Sequence, residues 1–209
     1  MIAALFVETN GVYFGLPDVD PWDIRRDARL YDGPHPVVAH PPCQRWGRYW
    51  SGGPMLARGP NAKKKGDDDG CFASAIASVR RFGGVLEHPE ASHAWRAFGV
   101  IAPPKSGEWV TGDRIGWTCC VEQGHYGHQA RKATWLYYVG EWPPPPLVWG
   151  PSAGRKIDAG FHSKAERAAA TEAQRKVPRI SENERTATPL AFRDALINIV
   201  RGARARGAT

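Results

Sequence analysis

Three short apolar runs, each ending on a polar residue, constrain the fold of this 209-residue chain most strongly. Residues 2 to 8 read IAALFVE, residues 37 to 40 read VVAH, and residues 85 to 87 read VLE. Runs of this length are typical of buried strands in an open α/β sheet, and ligand sites gather where such strands end. The sequence therefore predicts an α/β fold with a site at this edge of the sheet.

Further predicted elements alternate with these runs. Two more strands are expected at residues 117 to 123 and 133 to 139, joined by a polar and basic turn. Helices are expected at residues 21 to 29, 70 to 82 and 163 to 175, and from residue 188 onwards. The acids Asp67, Asp68 and Asp69 precede the second helix and complement its dipole, which favours a structural role over metal binding.

The chain divides according to its proline content. Residues 1 to 140 carry the predicted strands and are expected to form a single open-sheet domain. Residues 141 to 187 contain four consecutive prolines and are polar and basic, so we expect an irregular insert that forms a minimal DNA-contacting region. Residues 188 to 209 are expected to form a helix that packs back on the first domain, followed by a basic tail.

The charge balance favours a polyanionic partner. The chain has 28 Lys and Arg against 21 Asp and Glu, a formal net charge of +7. Neutralising phosphates releases condensed counterions, so a basic protein gains affinity for nucleic acid, although a merely basic surface is the alternative. Residues 46 to 50 read WGRYW, and this mixture of aromatic and basic side chains suits base stacking as well as core packing.

The four cysteines form no CxxC pair; they are Cys43, Cys71, Cys119 and Cys120. The first apolar run stops at Val7, and no stretch approaches the roughly 18 apolar residues of a membrane span. We therefore expect a cytoplasmic protein without a leader or membrane contact. Its thiols would be reduced and available for chemistry.

Cys43 lies in the segment His40-Pro41-Pro42-Cys43-Gln44, directly after a predicted strand. The two prolines would hold the thiol rigidly at the edge of the sheet, facing the crevice in which ligands bind. A buried structural cysteine is the competing interpretation, because unpaired cysteines are among the most buried residues.

Two other polar segments adjoin predicted strands. Glu87 ends the run VLE, where a closed site would hold its carboxyl protonated and ready to donate a hydrogen bond to a base-ring nitrogen. A surface or helix-capping acid is the alternative. Arg131, two residues after Gln129 in the basic turn, would supply a fixed cation near developing negative charge, or else contact a phosphate or solvent.

Together these three segments resemble those of the cytosine-5 DNA methyltransferases. The nucleophilic cysteine of that family stands in a Pro-Cys segment after a strand, which is similar to residues 37 to 44 here. Its strand ending in Glu-Asn-(Val or Pro) resembles residues 85 to 89, and its Tyr-Gly...Gln-x-Arg-x-Arg segment resembles residues 126 to 134. The order and spacing agree, and the helix after Thr188 is similar to the closing helix of the family. The chain thus resembles a reduced, divergent, phage-like member.

The resemblance implies a fold, a partner and a reaction. The fold would be a reduced Rossmann-like open sheet of the class I methyltransferase type. The Cys43 thiolate would add to C6 of a cytosine flipped out of DNA, and Glu87 would hydrogen-bond the ring near N3. Arg131 and Gln129 would assist orientation and charge stabilisation. C5 would then receive a methyl group from S-adenosylmethionine.

Binding residues follow from the same comparison. We expect the cofactor to be held by Phe6, Glu8, Asp20 and Pro42. We expect DNA to be contacted by six basic residues, namely Arg45, Arg48, Lys63, Lys64, Lys65 and Lys132. The family has a Phe-x-Gly-x-Gly-Gly turn after its first strand, whereas here a single glycine, Gly11, follows. A partner subunit that completes the cofactor site is compatible with this difference.

Three alternatives remain open at the level of sequence. One is an enzyme that keeps the Cys43 addition step but delivers a different electrophile to C5. Another is a noncatalytic DNA-binding module on a degenerate methyltransferase scaffold. The third is a zinc site, although no subset of the available ligands forms a standard pattern; these ligands are His35, His40, Cys43, Cys119, Cys120, His125 and His128.

Overall fold

The computed structural model describes residues 1–48, 50, 64–156, 164–172 and 180–203. Within these ranges the chain forms a seven-stranded mixed sheet and a separate two-stranded sheet. The strand order of the larger sheet is β2-β1-β3-β4-β8-β6-β5, in which the first four strands are parallel. The predicted α/β class is therefore confirmed.

The parallel half of the sheet contains β1 (Ile2–Leu5), β2 (Val19–Trp22), β3 (Val37–Ala39) and β4 (Gly84–Pro89). The chain passes from β1 to β2 on one side and then crosses back to β3 on the other side. The carboxyl ends of β1 and β3 therefore flank a topological switch point, which is the usual ligand crevice of an open α/β sheet. β1 ends at Leu5, since Phe6 adopts a left-handed φ of 58°.

The other half of the sheet is antiparallel. It contains β5 (Val110–Thr111), β6 (Trp117–Glu122) and β8 (Ala133–Val139). β8 lies between β4 and β6 and runs antiparallel to both. The small second sheet pairs β7 (Ala130–Arg131) in parallel with β9 (Arg155–Lys156).

Helices cover both faces of the larger sheet. The described helices are α1 (Cys71–Phe82), α2 (His93–Ala97), α3 (Lys164–Ala169), α4 (Glu182–Thr186) and α5 (Leu190–Arg201), and 3-10 turns occur at Ala28–Leu30 and Gln123–Tyr126. None of these helices is long and apolar enough to cross a membrane.

Alternate residues of the strands feed two cores. Ala3 and Leu5 of β1 belong to the core beneath α1, whereas Ile2 and Ala4 belong to the core beneath α5. Successive side chains of a strand point to opposite faces, so a strand covered on both faces is apolar throughout. This explains the continuous apolar runs in the sequence.

Most of the predicted elements are confirmed. The expected strands correspond to β1, β3, β4, β6 and β8, and the expected helices at residues 70 to 82 and after residue 188 correspond to α1 and α5. Of the helix expected at residues 163 to 175, the described residues contain α3, which ends at Ala169. Within the described chain, residues 141 to 154 contain neither helix nor strand, as the proline run predicts.

The helix predicted at residues 21 to 29 is wrong. Pro21 and Trp22 belong to β2, and only Ala28–Leu30 forms a helical turn. β2 is an edge strand, and an edge position tolerates a proline because it does not need a second ladder of hydrogen bonds. Tertiary pairing with β1 thus overrides the local helix signal.

Candidate functional site

Cys43 lies just past the carboxyl end of β3, beside the switch point of the sheet. His40 still continues the pairing with β1, since its N–H donates to the carbonyl of Leu5 at 3.0 Å. Cys43 then begins a turn, and its carbonyl accepts the amides of Trp46 and Gly47 at 3.0 and 2.8 Å. The Cys43 side chain is half-buried. The thiol therefore lies at the edge where the sequence predicts a site.

Asp68 ties this turn to the start of α1. Its Oδ2 accepts the indole N–H of Trp46 at 2.8 Å and the amide of Phe72 at 2.8 Å. The amide of Gly66 also donates to the carbonyl of Arg45 at 2.9 Å. The structural role predicted for the acids before α1 is confirmed for Asp68, which satisfies a helix-terminal amide and fixes the turn that carries Cys43.

Glu87 occupies the neighbouring parallel strand, and its side chain is held from two sides. The register pairs Ala39 with Leu86, so Glu87 follows at the level of His40. His40 Nδ1 lies 3.0 Å from Glu87 Oε2, and Gln123 Nε2 donates to Glu87 Oε1 at 3.1 Å. Gln123 Nε2 also contacts Thr134 Oγ1 at 2.8 Å. The carboxyl group is therefore fixed in orientation.

The expectation that Glu87 is protonated is wrong. Burial raises the pKa of its carboxyl, but the hydrogen bond from His40 and the charge of Lys132 outweigh burial and lower that pKa to about 2. Because donors surround the carboxyl, Glu87 is a carboxylate in the protein without substrate. It can accept a proton or a hydrogen bond but has no proton of its own to donate.

The thiol of Cys43 carries its proton at neutral pH. Burial and the negative charge of Glu87 raise its pKa, while the charges of Lys132 and Arg185 oppose the rise. Cys43 and Glu87 are thus within electrostatic reach of each other. A reaction that uses the thiolate needs a proton acceptor, and the carboxylate of Glu87 is close enough to act electrostatically on the thiol.

The two cations of the basic turn, Arg131 and Lys132, make different contacts. Arg131 is exposed, and its Nε donates to the carbonyl of Ser152 at 2.9 Å. The charge that acts on both Cys43 and Glu87 is that of Lys132. Consecutive residues of an extended chain point in opposite directions, so only one of the two can face the crevice. Gln129 is exposed, and the amide that contacts Glu87 belongs to Gln123.

The sequence patterns did not identify three side chains of the site, namely Tyr13, Gln123 and His40, as partners of Glu87. They indicated His40 only as a metal ligand. Gln123 directly follows β6, so the strand-end pattern that located Glu87 could also have located it. Tyr13 lies in the connection between β1 and β2, and it has no such local signal. Its hydroxyl reaches His40 through the tertiary fold alone.

The structure places one of the four predicted cofactor residues apart from the other three. Phe6, Glu8 and Pro42 follow the ends of β1 and β3, whereas the register places Asp20 further back, opposite Ala3. Asp20 accepts the indole N–H of Trp22 at 2.8 Å and pairs with Arg26. The acid at the end of β2 is Asp23, which accepts the Thr9 hydroxyl at 2.7 Å. The carboxylates of Asp20 and Asp23 are therefore engaged within the protein.

Basic side chains border the turn that carries Cys43. Lys64 and Lys65 are exposed beside Arg45, because the amide of the next residue, Gly66, binds the Arg45 carbonyl. Arg48 is exposed and lies 3.4 Å from the carboxylate of Glu90. Lys63 lies outside the described residues.

In the part of the chain that the structure describes, no three His, Cys, Asp or Glu side chains are grouped so that they could hold a zinc ion. Cys119 and Cys120 are consecutive in β6 and therefore point to opposite faces of the sheet. Burial raises the pKa of each thiol to about 12.

Comparison with known proteins yields no assignment, since no protein-family model matches the sequence and no curated protein matches it significantly. The function is therefore inferred from the chemistry of the site itself.

Proposed function

We propose that the protein forms a transient covalent bond between the Cys43 sulfur and C6 of a cytosine in DNA, and thereby activates C5 for substitution. One observation carries the proposal: a half-buried thiol follows β3, and a fixed carboxylate lies in the neighbouring parallel strand β4, beside the switch point of the sheet. A nucleophile beside an oriented proton acceptor is the arrangement that covalent catalysis requires. The resemblance to the cytosine-5 methyltransferases, which implies a reduced sheet of the class I methyltransferase type, supports the same reaction.

The ionised Glu87 favours cytosine among the pyrimidines. A carboxylate accepts hydrogen bonds, and cytosine presents an exocyclic amino group beside N3. Uracil and thymine present a carbonyl oxygen at that place, which would face the carboxylate with a second acceptor. Because the rigid side chain of Glu87 is held by His40 and Gln123, it cannot turn away from a mismatched base.

The addition step balances without any group beyond the base and the protein. The Cys43 thiol gives its proton to the Glu87 carboxylate, and the thiolate forms the S–C6 bond. The electron pair of the C5–C6 double bond moves into the ring, and Glu87 passes the proton to N3. C5 is now a carbon nucleophile, which takes a proton from water and leaves hydroxide. The hydroxide removes the original hydrogen from C5, N3 returns its proton through Glu87 to the sulfur, and the S–C6 bond breaks to give back cytosine and the Cys43 thiol.

Hydrogen exchange at C5 tests this step. DNA whose cytosines carry tritium at C5 is incubated with the protein in the absence of any cofactor, and tritium released into water is counted. We expect release by the parent protein, none by Cys43→Ser, and at least a hundredfold slower release by Glu87→Gln with DNA affinity retained. Release by Cys43→Ser at the parent rate would rule out Cys43 as the nucleophile.

The electrophile that C5 receives is a separate proposal. The resemblance favours S-adenosylmethionine, either bound by this chain or by a site that a partner subunit completes. A different electrophile is the alternative, and a noncatalytic DNA-binding module is the outcome if no exchange occurs. Binding of radiolabelled S-adenosylmethionine, followed by trapping on DNA that contains 5-fluorocytosine, distinguishes the first two. A denaturation-resistant complex that needs both Cys43 and the methyl donor would identify a methyltransferase.

A further inference from the structure

A chain of three hydrogen-bonded side chains leads from the core of the protein to Glu87. The Tyr13 hydroxyl lies 2.8 Å from His40 Nε2, and His40 Nδ1 lies 3.0 Å from Glu87 Oε2. Tyr13 is 2% exposed, and the side chains of His40 and Glu87 are each 12% exposed. These contacts are therefore largely shielded from water, which strengthens them.

The hydrogen-bonding needs of the two ends are both met by one tautomer of His40. Burial raises the pKa of Tyr13, and the charge of Glu87 raises it further, so Tyr13 keeps its proton and donates it. Glu87 is a carboxylate and can only accept. The tautomer of His40 with its hydrogen on Nδ1 satisfies both neighbours, because Nδ1–H donates to Glu87 and Nε2 accepts from Tyr13.

Helix α5 holds Tyr13, the member of the hydrogen-bonded series that is furthest from Glu87. Arg193 donates to the carbonyl of Val12 at 2.7 Å, next to Tyr13 in sequence. The Tyr13 ring belongs to the core that contains Phe192 and Leu196 of α5. Tyr13 therefore has a fixed position, and it fixes the rotation of the His40 ring.

We propose that His40, held by Tyr13, is a positioning residue that keeps Glu87 an oriented carboxylate, ready to receive the proton of Cys43. The role of Glu87 as acceptor rests on the proposed function, whereas the control of its ionisation by His40 does not. Without the His40 donor, burial would favour the protonated carboxyl, and Glu87 could no longer accept a proton from the thiol.

Several charged or titratable groups face this chain from the surrounding elements. Cys43 follows β3, His88 is the next residue of β4, and Lys132 precedes β8; all three interact electrostatically with Glu87. Arg193 and Asp194 of α5 act on Tyr13. A test must therefore change the donor to Glu87 without changing any of these charges.

Two amide substitutions at His40 provide a matched pair. His40→Asn places an amide N–H near the position of Nδ1, so it retains the donor to Glu87 and loses the contact with Tyr13. His40→Gln places its amide near the position of Nε2, so it retains the contact with Tyr13 and loses the donor to Glu87. Both variants are neutral and polar, and both keep the other groups of the site.

The first measurement needs no DNA. Infrared spectroscopy detects the C=O stretch of a protonated carboxyl, and the band of Glu87 is identified as the one that Glu87→Gln removes. At pH 5 we expect no Glu87 band in the parent protein or in His40→Asn, and a clear band in His40→Gln, which corresponds to a rise in the pKa of Glu87 by roughly three pH units or more. Tyr13→Phe should raise it by less, and a Tyr13→Phe protein identical to the parent would remove Tyr13 from the proposal.

The second measurement is the pH profile of tritium release from C5. In His40→Gln the rate should fall on the acid side at a pH about three units higher than in the parent or in His40→Asn, because Glu87 must be ionised to accept the thiol proton. Equal infrared spectra of the parent and His40→Gln between pH 4.5 and 7 would overturn the role of His40. Absence of exchange in every protein, with the infrared difference present, would instead overturn the proposed function alone.

Discussion

The buried ring of His88 couples the site to the stability of the fold. It is fully buried, packs edge-to-face against Phe72 with ring centroids 5.2 Å apart, and stacks on Trp95 at 6.2 Å. Burial lowers the pKa of His88 to about 4 from its ordinary value of 6.5, although the charge of Glu87 and the carbonyl of Pro42 oppose the change. The folded protein therefore keeps this ring neutral.

We predict acid destabilisation that originates at His88. Between pH 6.5 and about 4 the unfolded chain binds a proton that the folded protein does not, so stability falls as the pH falls through this window. The loss from this one group amounts to about 3 kcal/mol. Denaturant unfolding at a series of pH values measures it, and His88→Asn should give a shallower slope. Burial also lowers the pKa of His128, so stability should still depend on pH to some extent in His88→Asn. Equal slopes in the parent and in His88→Asn would contradict the prediction.

The four thiols should differ in reactivity. Cys43 and Cys71 are half-buried, whereas Cys119 and Cys120 are buried in β6 with pKa values of about 12. We expect iodoacetamide to label the first two in the folded protein and all four in denaturant, with faster labelling as the pH rises, since only the thiolate reacts. Mass spectrometry of the labelled peptides measures this. Rapid labelling of Cys119 in the folded protein would show that β6 is more open than described.

Individual residues were predictable to the extent that their signal is local. The strand-end pattern singled out both Cys43 and Glu87, although β4 continues beyond Glu87 to Pro89, and the fold brings the two segments side by side. The electrostatic effect of Lys132 on Glu87 was not predictable, because it depends on which way an extended chain faces. The ionisation of Glu87 depends on His40 and Lys132, which lie 47 and 45 positions away along the chain. Such distant donors leave no trace in the segment VLE itself.

At the scale of elements, the pairing of β3 with β4 depends on one glycine. Gly84 has a φ of 117°, and a Cβ at this position would lie 2.0 Å from the carbonyl oxygen of Val37. We predict that Gly84→Ala lowers the free energy of unfolding by about 3 kcal/mol or more, since the clash is with backbone that cannot move aside. Chemical denaturation measures this loss.

Gly70 offers the matched control for that substitution. It precedes α1 with a φ of 79°, but a Cβ there would contact nothing within 4 Å. Gly70→Ala should therefore cost only about 1 kcal/mol, the conformational penalty of a left-handed alanine. Equal losses at the two glycines would show that the close approach to Val37 does not determine the stability of the pairing.

The stability that α5 contributes comes from the side chains that it buries against the sheet, and two leucines of this helix test this. Leu196 is fully buried beneath the sheet, whereas Leu190 on the same helix is 58% exposed. Leu196→Ala should cost about 2 to 5 kcal/mol through lost burial and the cavity that remains, and Leu190→Ala a few tenths of a kcal/mol, so roughly tenfold less. Thermal and denaturant unfolding compare them. A large loss at Leu190 would contradict the exposure of this face of α5.

Elements with strong internal patterns were predictable, and those made by tertiary pairing were not. The apolar runs identified β1, β3 and β4, and the helix signals identified α1 and α5. β2 carries a proline and reads as a helix start, yet it forms by pairing with β1 at the edge of the sheet. The two residues of β7 and of β9 are too short for any periodicity, so only their mutual pairing defines them.

For the molecule as a whole, the position of each charge matters more than the net charge of +7. Lys65 borders the turn that carries Cys43. Arg81 lies in the last turn of α1, at the opposite edge of the sheet, and pairs with Asp32 at 2.5 Å. We predict that Lys65→Ala weakens DNA binding and reduces the slope of log affinity against log salt by about 1. Arg81→Ala, which removes the same charge, should leave both unchanged. Fluorescence anisotropy at several salt concentrations decides between them.

The place of β8 in the sheet has a consequence for biosynthesis. β8 (residues 133 to 139) separates β4 from β6, although both of those strands precede it in the chain. While the protein is being translated, β4 therefore has an unpaired apolar edge until about 50 further residues have left the ribosome. A nascent chain that stops before β8 holds Cys43 and Glu87 but has no means of closing the sheet around them. We expect such intermediates to depend on chaperones, and to acquire a competent site only after β8 has inserted.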